Sequence, residues 1–159
     1  MPRHIQCNTP TPDPRMVTFV REHHVMTLAT TDASMTPWCA SCFYVYMPKT
    51  NQFVFTTDEE TRHGRQMIDN PVVGACIALE TNITGKIRGV QITGVVKKAT
   101  GKEHFRASLA FLRKFPIAAL KKTTLWILEP HHIKMTDNRL GFGVKLLWDQ
   151  PVSSDSSTT

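Results

Sequence analysis

Three β-type runs joined by two short turns, between Val25 and Thr57, limit the fold of this chain more than any other feature of it. VMTLAT at 25–30 leads into the turn Thr31-Asp32-Ala33-Ser34 and then the aromatic-rich run Pro37 to Tyr46. Met47 to Gln52 forms the second turn, and Phe53 to Thr57 pairs back. Connections this short exclude parallel crossovers, so the three runs are predicted to form an antiparallel meander. Further β-type runs cover Val72–Leu79, Lys86–Lys98, Thr124–Glu129 and His132–Thr136. Gly89 and Gly94 interrupt the second of these, as bends or bulges do in a closing barrel. Helices are predicted at Pro14–His24, with Asp13 as N-cap and Pro14 at the first position, at Thr61–Asn70, and at Lys102–Phe115, ended by Pro116. This order is not a repeated βαβ. It predicts a mainly β fold, an antiparallel barrel with flanking helices filling its gaps.

The 159 residues read as one domain at 14–148, preceded by a loose Pro-containing arm at 1–13 and followed by a polar tail at 149–159. A hydrophobic content of 41% and a charged content of 20% exclude a disordered chain. No apolar run approaches the roughly 18 residues of a membrane span. The opening residues lack the apolar block of a secretory signal, and a cytoplasmic protein with no membrane partner is expected. Four cysteines imply no disulfide framework there. The formal charge of +6 favours anionic partners. The basic residues are dispersed, with adjacent lysines only at Lys97-Lys98 and Lys121-Lys122, and no reading motif accompanies them. Nucleic acid is therefore not expected as a partner.

The chemistry concentrates in Phe53 to Pro71, FVFTTDEETRHGRQMIDNP. A strand ending in Thr56-Thr57 passes through an acidic turn into Thr61-Arg62-His63 at the start of a helix. A helix N-terminus offers unpaired N–H groups and a positive dipole end, and Arg62 adds a bidentate fork, so a phosphate-bearing ligand fits here. The plainer alternative is a hairpin exit with Thr61 as N-cap.

Other motifs yield less. Trp38-Cys39-Ala40-Ser41-Cys42 has CxxC spacing but runs straight into a strand, where positions three apart face opposite ways and the sulfurs diverge. The pairs His23-His24 and His131-His132 cannot converge on one ion, and no metal site is expected. Glycine-rich nucleotide loops and a nucleophile elbow are absent. Gly141-Phe142-Gly143 precedes Val144 to Trp148, a closing element whose Lys145 or Trp148 could reach a ligand or a partner subunit.

Helix, meander ending in FVFTT, TRHGRQMIDNP, then the strand IRGVQITG and TDNRLGFGVKLLW together resemble the pyridoxamine 5′-phosphate oxidase-like flavin-binding split barrels, and within them the small YhbP-like bacterial branch. The resemblance spans roughly 14–148. It implies a homodimer of split barrels with FMN in clefts between the subunits. It sets the family's Tyr-Thr on Thr56-Thr57 and its Ser-Arg-Lys phosphate motif on Thr61-Arg62-His63. The strand flanking the flavin ring then falls near Ala40 to Phe43, with Ser41 and Cys42 beside the ring, and a later flavin-contacting polar residue falls on Arg88. An Arg and a Lys of the oxidase land on or near Ser41 and Tyr46, and the motif's Lys becomes His63. Two positive groups are thereby missing, which argues against oxidation of pyridoxamine phosphate and for FMN binding that is weakened or lost. The implied activity is a flavin-dependent oxidoreductase on a small substrate; the alternative is a non-catalytic flavin- or haem-binding or sensing protein on the same scaffold. No catalytic acid or base is assigned, because flavin hydride chemistry need not use one.

Overall fold

The computed structural model describes residues 3–117, 123–141 and 144–151. Eight strands and three α-helices follow one another as β1 (His4–Cys7), α1 (Pro14–Glu22), β2 (Val25–Thr31), β3 (Pro37–Met47), β4 (Gln52–Thr57), α2 (Arg62–Asp69), β5 (Val72–Ala78), β6 (Arg88–Lys98), α3 (Gly101–Lys114), β7 (Thr124–Asp137) and β8 (Lys145–Asp149) among the described residues. The fold is mainly β, as the turn spacing predicts. Six strands in the order β7-β4-β3-β2-β5-β6 close on themselves through β6–β7 pairing, and every pair within this barrel is antiparallel. β8 pairs with the second half of β7, and β1 lies parallel on β8.

Alternation fills the barrel. Met26, Leu28, Cys42, Tyr44, Phe53, Phe55, Val73, Ile77, Val90, Ile92 and Trp126 meet in one buried cluster. Two helices close its ends. Asp13 caps α1 by accepting from the Arg15 N–H at 2.8 Å, and α1 sends Met16, Phe19 and Val20 into the core. The Val20 carbonyl accepts from Tyr44 Oη at 2.7 Å near the start of β2. At the opposite end of β2, Thr30 Oγ1 donates to Gln66 of α2 at 2.5 Å and Asn70 donates to Thr31. α3 lies against one outer wall, where Ala107 and Phe111 cover Val45, Val54, Leu125 and Ile127.

Two expectations need correction. The runs Thr124–Glu129 and His132–Thr136 are one strand that passes through Pro130. Pro130 stands opposite Gly94 where the β6–β7 register shifts, so its missing N–H falls at a bulge instead of breaking a regular ladder. A Cβ on Gly94 would lie 2.2 Å from the Glu129 carbonyl oxygen, which explains the glycine. Second, the segment expected to be a loose arm contains β1, and the Trp148 indole donates to Thr9 O at 3.0 Å, which ties that segment to β8. Lys121, Lys122, Phe142, Gly143 and most of the expected tail lie outside the described residues.

Candidate functional site at the junction of strand 4 and helix 2

The sequence FTTDEETRHG builds a compact knot. β4 ends at Thr57, the chain turns through Asp58 to Glu60, and Thr61 caps α2 by accepting from the Gly64 N–H at 3.0 Å. The Thr61 hydroxyl donates its one proton to the Asp58 carbonyl at 2.8 Å. With its proton on the Asp58 carbonyl, the Thr61 hydroxyl has none left for an anion in this arrangement. Gly64 is required by the close approach of this turn: a Cβ there would meet Asp58 O at 2.3 Å and Glu59 O at 2.9 Å.

Thr57 Oγ1 lies 2.6 Å from His63 Nε2, and burial pushes that imidazole below its ordinary pKa of 6.5. His63 is therefore neutral near neutrality. With the proton on Nε2 the ring donates to Thr57, whose own proton points to the Thr61 hydroxyl oxygen at 3.4 Å. Arg62 carries the local positive charge outward. Its guanidinium lies 4.5 Å from the centre of the Trp38 ring and 3.9 Å from an Asp32 carboxylate oxygen, with 47% of the side chain exposed. Against it stands the acidic turn, where Glu59 accepts from Lys98 at 2.6 Å and from Thr124 at 3.0 Å.

Six of the eight expected site residues have side chains near this junction or beside it on the barrel's outer wall. Thr57, Thr61, Arg62 and His63 meet here, Thr56 points from the next position to the outer wall beside the end of α3, and Ser41 is exposed on the neighbouring β3. Cys42 turns into the core, where burial pushes its thiol up to about 11, so β3 presents only backbone at that position. Cys39 is exposed while Cys42 is buried, so the CxxC pair diverges as a strand requires. Arg88 stands apart at the α1 end of the barrel, its guanidinium 5.5 Å from the Phe19 ring centre. Arg88 opens β6 opposite Asp137, whereas β4 meets β7 only at Thr124–Leu128, toward the other end of that strand. Within one chain Arg88 cannot join Arg62 on a single small ligand. Sequence reasoning missed Trp38 and Asp32 as partners of Arg62, since the β2–β3 turn meets α2 only in three dimensions. Among the described residues no group of three or more His, Cys, Asp or Glu side chains is placed to hold a metal ion.

With the geometry in place, the family assignment rests on sequence. The pyridoxamine 5′-phosphate oxidase family model matches residues 12–136. The chain belongs to that family. A UPF0306 protein of Photorhabdus laumondii is 39% identical over 132 residues, spanning 83% of this chain and 92% of that protein. The fold agrees with solved structures. A haem-binding protein from Mycobacterium smegmatis superposes with a TM-score of 0.73 at 20% identity, over 84% of this chain and 55% of that one. A FAD-binding protein from Mesorhizobium loti superposes with a TM-score of 0.62 at 13% identity, over 76% of this chain and 89% of that one. At such identities the likeness is one of fold.

Proposed function

We propose that this split-barrel protein binds FMN at the β4–α2 junction and acts as an oxidoreductase on a small substrate. Arg62 carries the reading: it is an exposed guanidinium at a helix N-terminus, steadied by an indole and only loosely tied to a carboxylate. Such a fork suits a terminal phosphate, while the adjacent Trp38 and the β3 backbone offer a surface for a planar ring. When bound, FMN supplies hydride and single-electron transfer, and the protein's share is binding, orientation and tuning. Thr57, its hydroxyl held by His63, would turn its proton from Thr61 to the phosphate, and Thr56 and Ser41 would border the ring. Arg88 could take part only from another subunit. The neutral His63 and the acidic turn predict modest affinity.

A second reading, a non-catalytic flavin- or haem-binding or sensing protein, is favoured by the likeness to the M. smegmatis haem-binding protein. The two separate on turnover. Bound flavin that is reduced by NADH or NADPH and reoxidised repeatedly supports the oxidoreductase.

The proposed assembly is a homodimer in the cytoplasm. α3 covers one barrel wall, but the opposite outer wall carries Thr27 and Ala29 of β2, Cys39 and Ser41 of β3, Gly74 and Cys76 of β5, and Gln91 and Thr93 of β6. None of these side chains is charged. A smooth, neutral sheet face of small residues suits a second copy of itself.

The first test is absorbance of the purified protein before and after loading with excess FMN and dialysis. A retained flavin spectrum supports the site. A bare spectrum after loading would sink the FMN reading and leave the non-flavin scaffold.

A further inference from the structure

Beside the junction, the outer wall holds a cleft of about 530 Å³ that the phosphate reading does not use. Phe43 and Thr56 supply its barrel side, and Phe111, Lys114, Phe115 and Pro116 supply the side from the end of α3. Its walls are aromatic. The Phe43 and Phe115 rings lie 5.2 Å apart at 57°, and Phe111 and Phe115 lie 5.1 Å apart at 50°. Phe43 is 59% exposed, so a large ring faces the opening instead of the core.

Among the described residues, the lining of the cleft has one cation, Lys114. Lys114 Nζ donates to the His23 carbonyl at 3.2 Å and lies 5.6 Å from the Tyr44 ring centre and 5.9 Å from that of Phe115. It has no carboxylate within salt-bridge distance among the described residues. Burial and the neighbouring Arg21 both push its pKa down, the mark of an ammonium whose charge lacks compensation. An ammonium has three donors, and a single one is engaged here. Flat apolar walls with one underused cation select a flat ligand bearing one negative charge. A phosphate dianion would be poorly served by one lysine and a threonine hydroxyl.

We propose that this cleft binds an aromatic carboxylate, its ring against Phe43 and Phe115 and its carboxylate on Lys114. The volume accommodates a two-ring ligand. Because Thr56 borders both the cleft and the junction, the aromatic carboxylate is the substrate class we assign to the proposed flavoprotein, and to that extent the inference rests on that reading. Occupancy of the cleft does not require the cofactor.

The experiment is calorimetric titration of the full chain, freed of any flavin, with 2-naphthoate and with the uncharged 2-naphthalenemethanol. The carboxylate is expected to bind at least about tenfold tighter than the alcohol, the scale of one charge-assisted hydrogen bond. Lys114→Gln, which keeps a donor for the His23 carbonyl, should erase that difference and leave alcohol binding as it was. Phe43→Ser, at an exposed position where folding is not at stake, should weaken both ligands. Equal affinity for the two probes, binding of neither, or a Lys114→Gln variant that still prefers the carboxylate would overturn the proposal. Naphthoate binding by a chain that retains no FMN would sink the cofactor reading alone. FMN retention without naphthoate binding would sink the cleft alone.

Discussion

Arg62 and His63 are neighbours with opposite electrostatic standing. The Arg62 guanidinium stays charged and exposed above Trp38, so its removal takes away the one full positive charge expected to meet a phosphate. Arg62→Ala should weaken FMN binding about ten- to a hundredfold, about 1.5–3 kcal/mol, in a calorimetric titration. Unaltered affinity would place the phosphate elsewhere. His63 is held neutral by burial, with its folded pKa below the ordinary 6.5. As the pH falls below about 6.5, the unfolded chain takes up this proton before the folded one does, and the fold loses stability. Above that pH the imidazole contributes no pH dependence, since it is neutral in both states. Melting temperatures followed from about pH 7.5 to about pH 5 should therefore fall more steeply in the wild type than in His63→Gln. Parallel curves would remove His63 as the cause. Gly64 sets the closeness of the turn to α2. Gly64→Ala drives a methyl into two backbone carbonyls and should cost about 1–3 kcal/mol in urea unfolding. A variant as stable as the wild type would show that the turn can move away freely.

At the scale of elements, the decisive feature is the pairing of β6 with β7, because it turns a sheet into a barrel. Their register shifts between Thr93 and Gly94, where His131 of β7 is the extra, unpaired residue of a bulge. That slip sets Gly94 opposite Pro130, where neither an extra side chain nor a missing donor disturbs the ladder. Gly94→Ala is expected to cost at least about 2 kcal/mol, since the obstructing atom is the Glu129 backbone and cannot rotate away. Denaturant midpoints that coincide with the wild type would show the closure to be looser than this. The pattern of alternating residues placed most strands in the sequence within a residue or two, and Asp13 and Thr61 were visible as helix caps. The continuity of β7 was not visible, because a proline in a strand reads as a break until its partner strand is known.

Over the whole molecule, the three helices divide the barrel surface unequally. α1 and α2 close the two ends and α3 shields one wall, leaving the neutral wall of β2, β3, β5 and β6 without cover among the described residues. A homodimer joined there should be sensitive to a single charge. Thr27→Arg, at an exposed position in the middle of that wall, is expected to shift sedimentation from dimer to monomer with little effect on the fold. A variant that sediments as the wild type does would move the interface elsewhere. The same division separates the candidate site residues: Arg62 sits at the end closed by α2, and Arg88 at the end closed by α1.

The sequence by itself determined the antiparallel meander, the three helices with their caps and the strand-turn-helix junction. These depend on residues close together in the chain, through alternation, helical spacing and the chemistry of Thr, Asp, Gly and Pro. It also showed that the CxxC pair diverges, since a strand's two-residue repeat is local. Long-range packing set how the junction hydroxyls are paired, that Arg62 rests on Trp38, that Arg88 lies at the other end of the barrel, and that Lys114 faces an aromatic cleft. Each of those depends on where distant strands are brought side by side, and that is set by register and barrel closure, which no local pattern encodes.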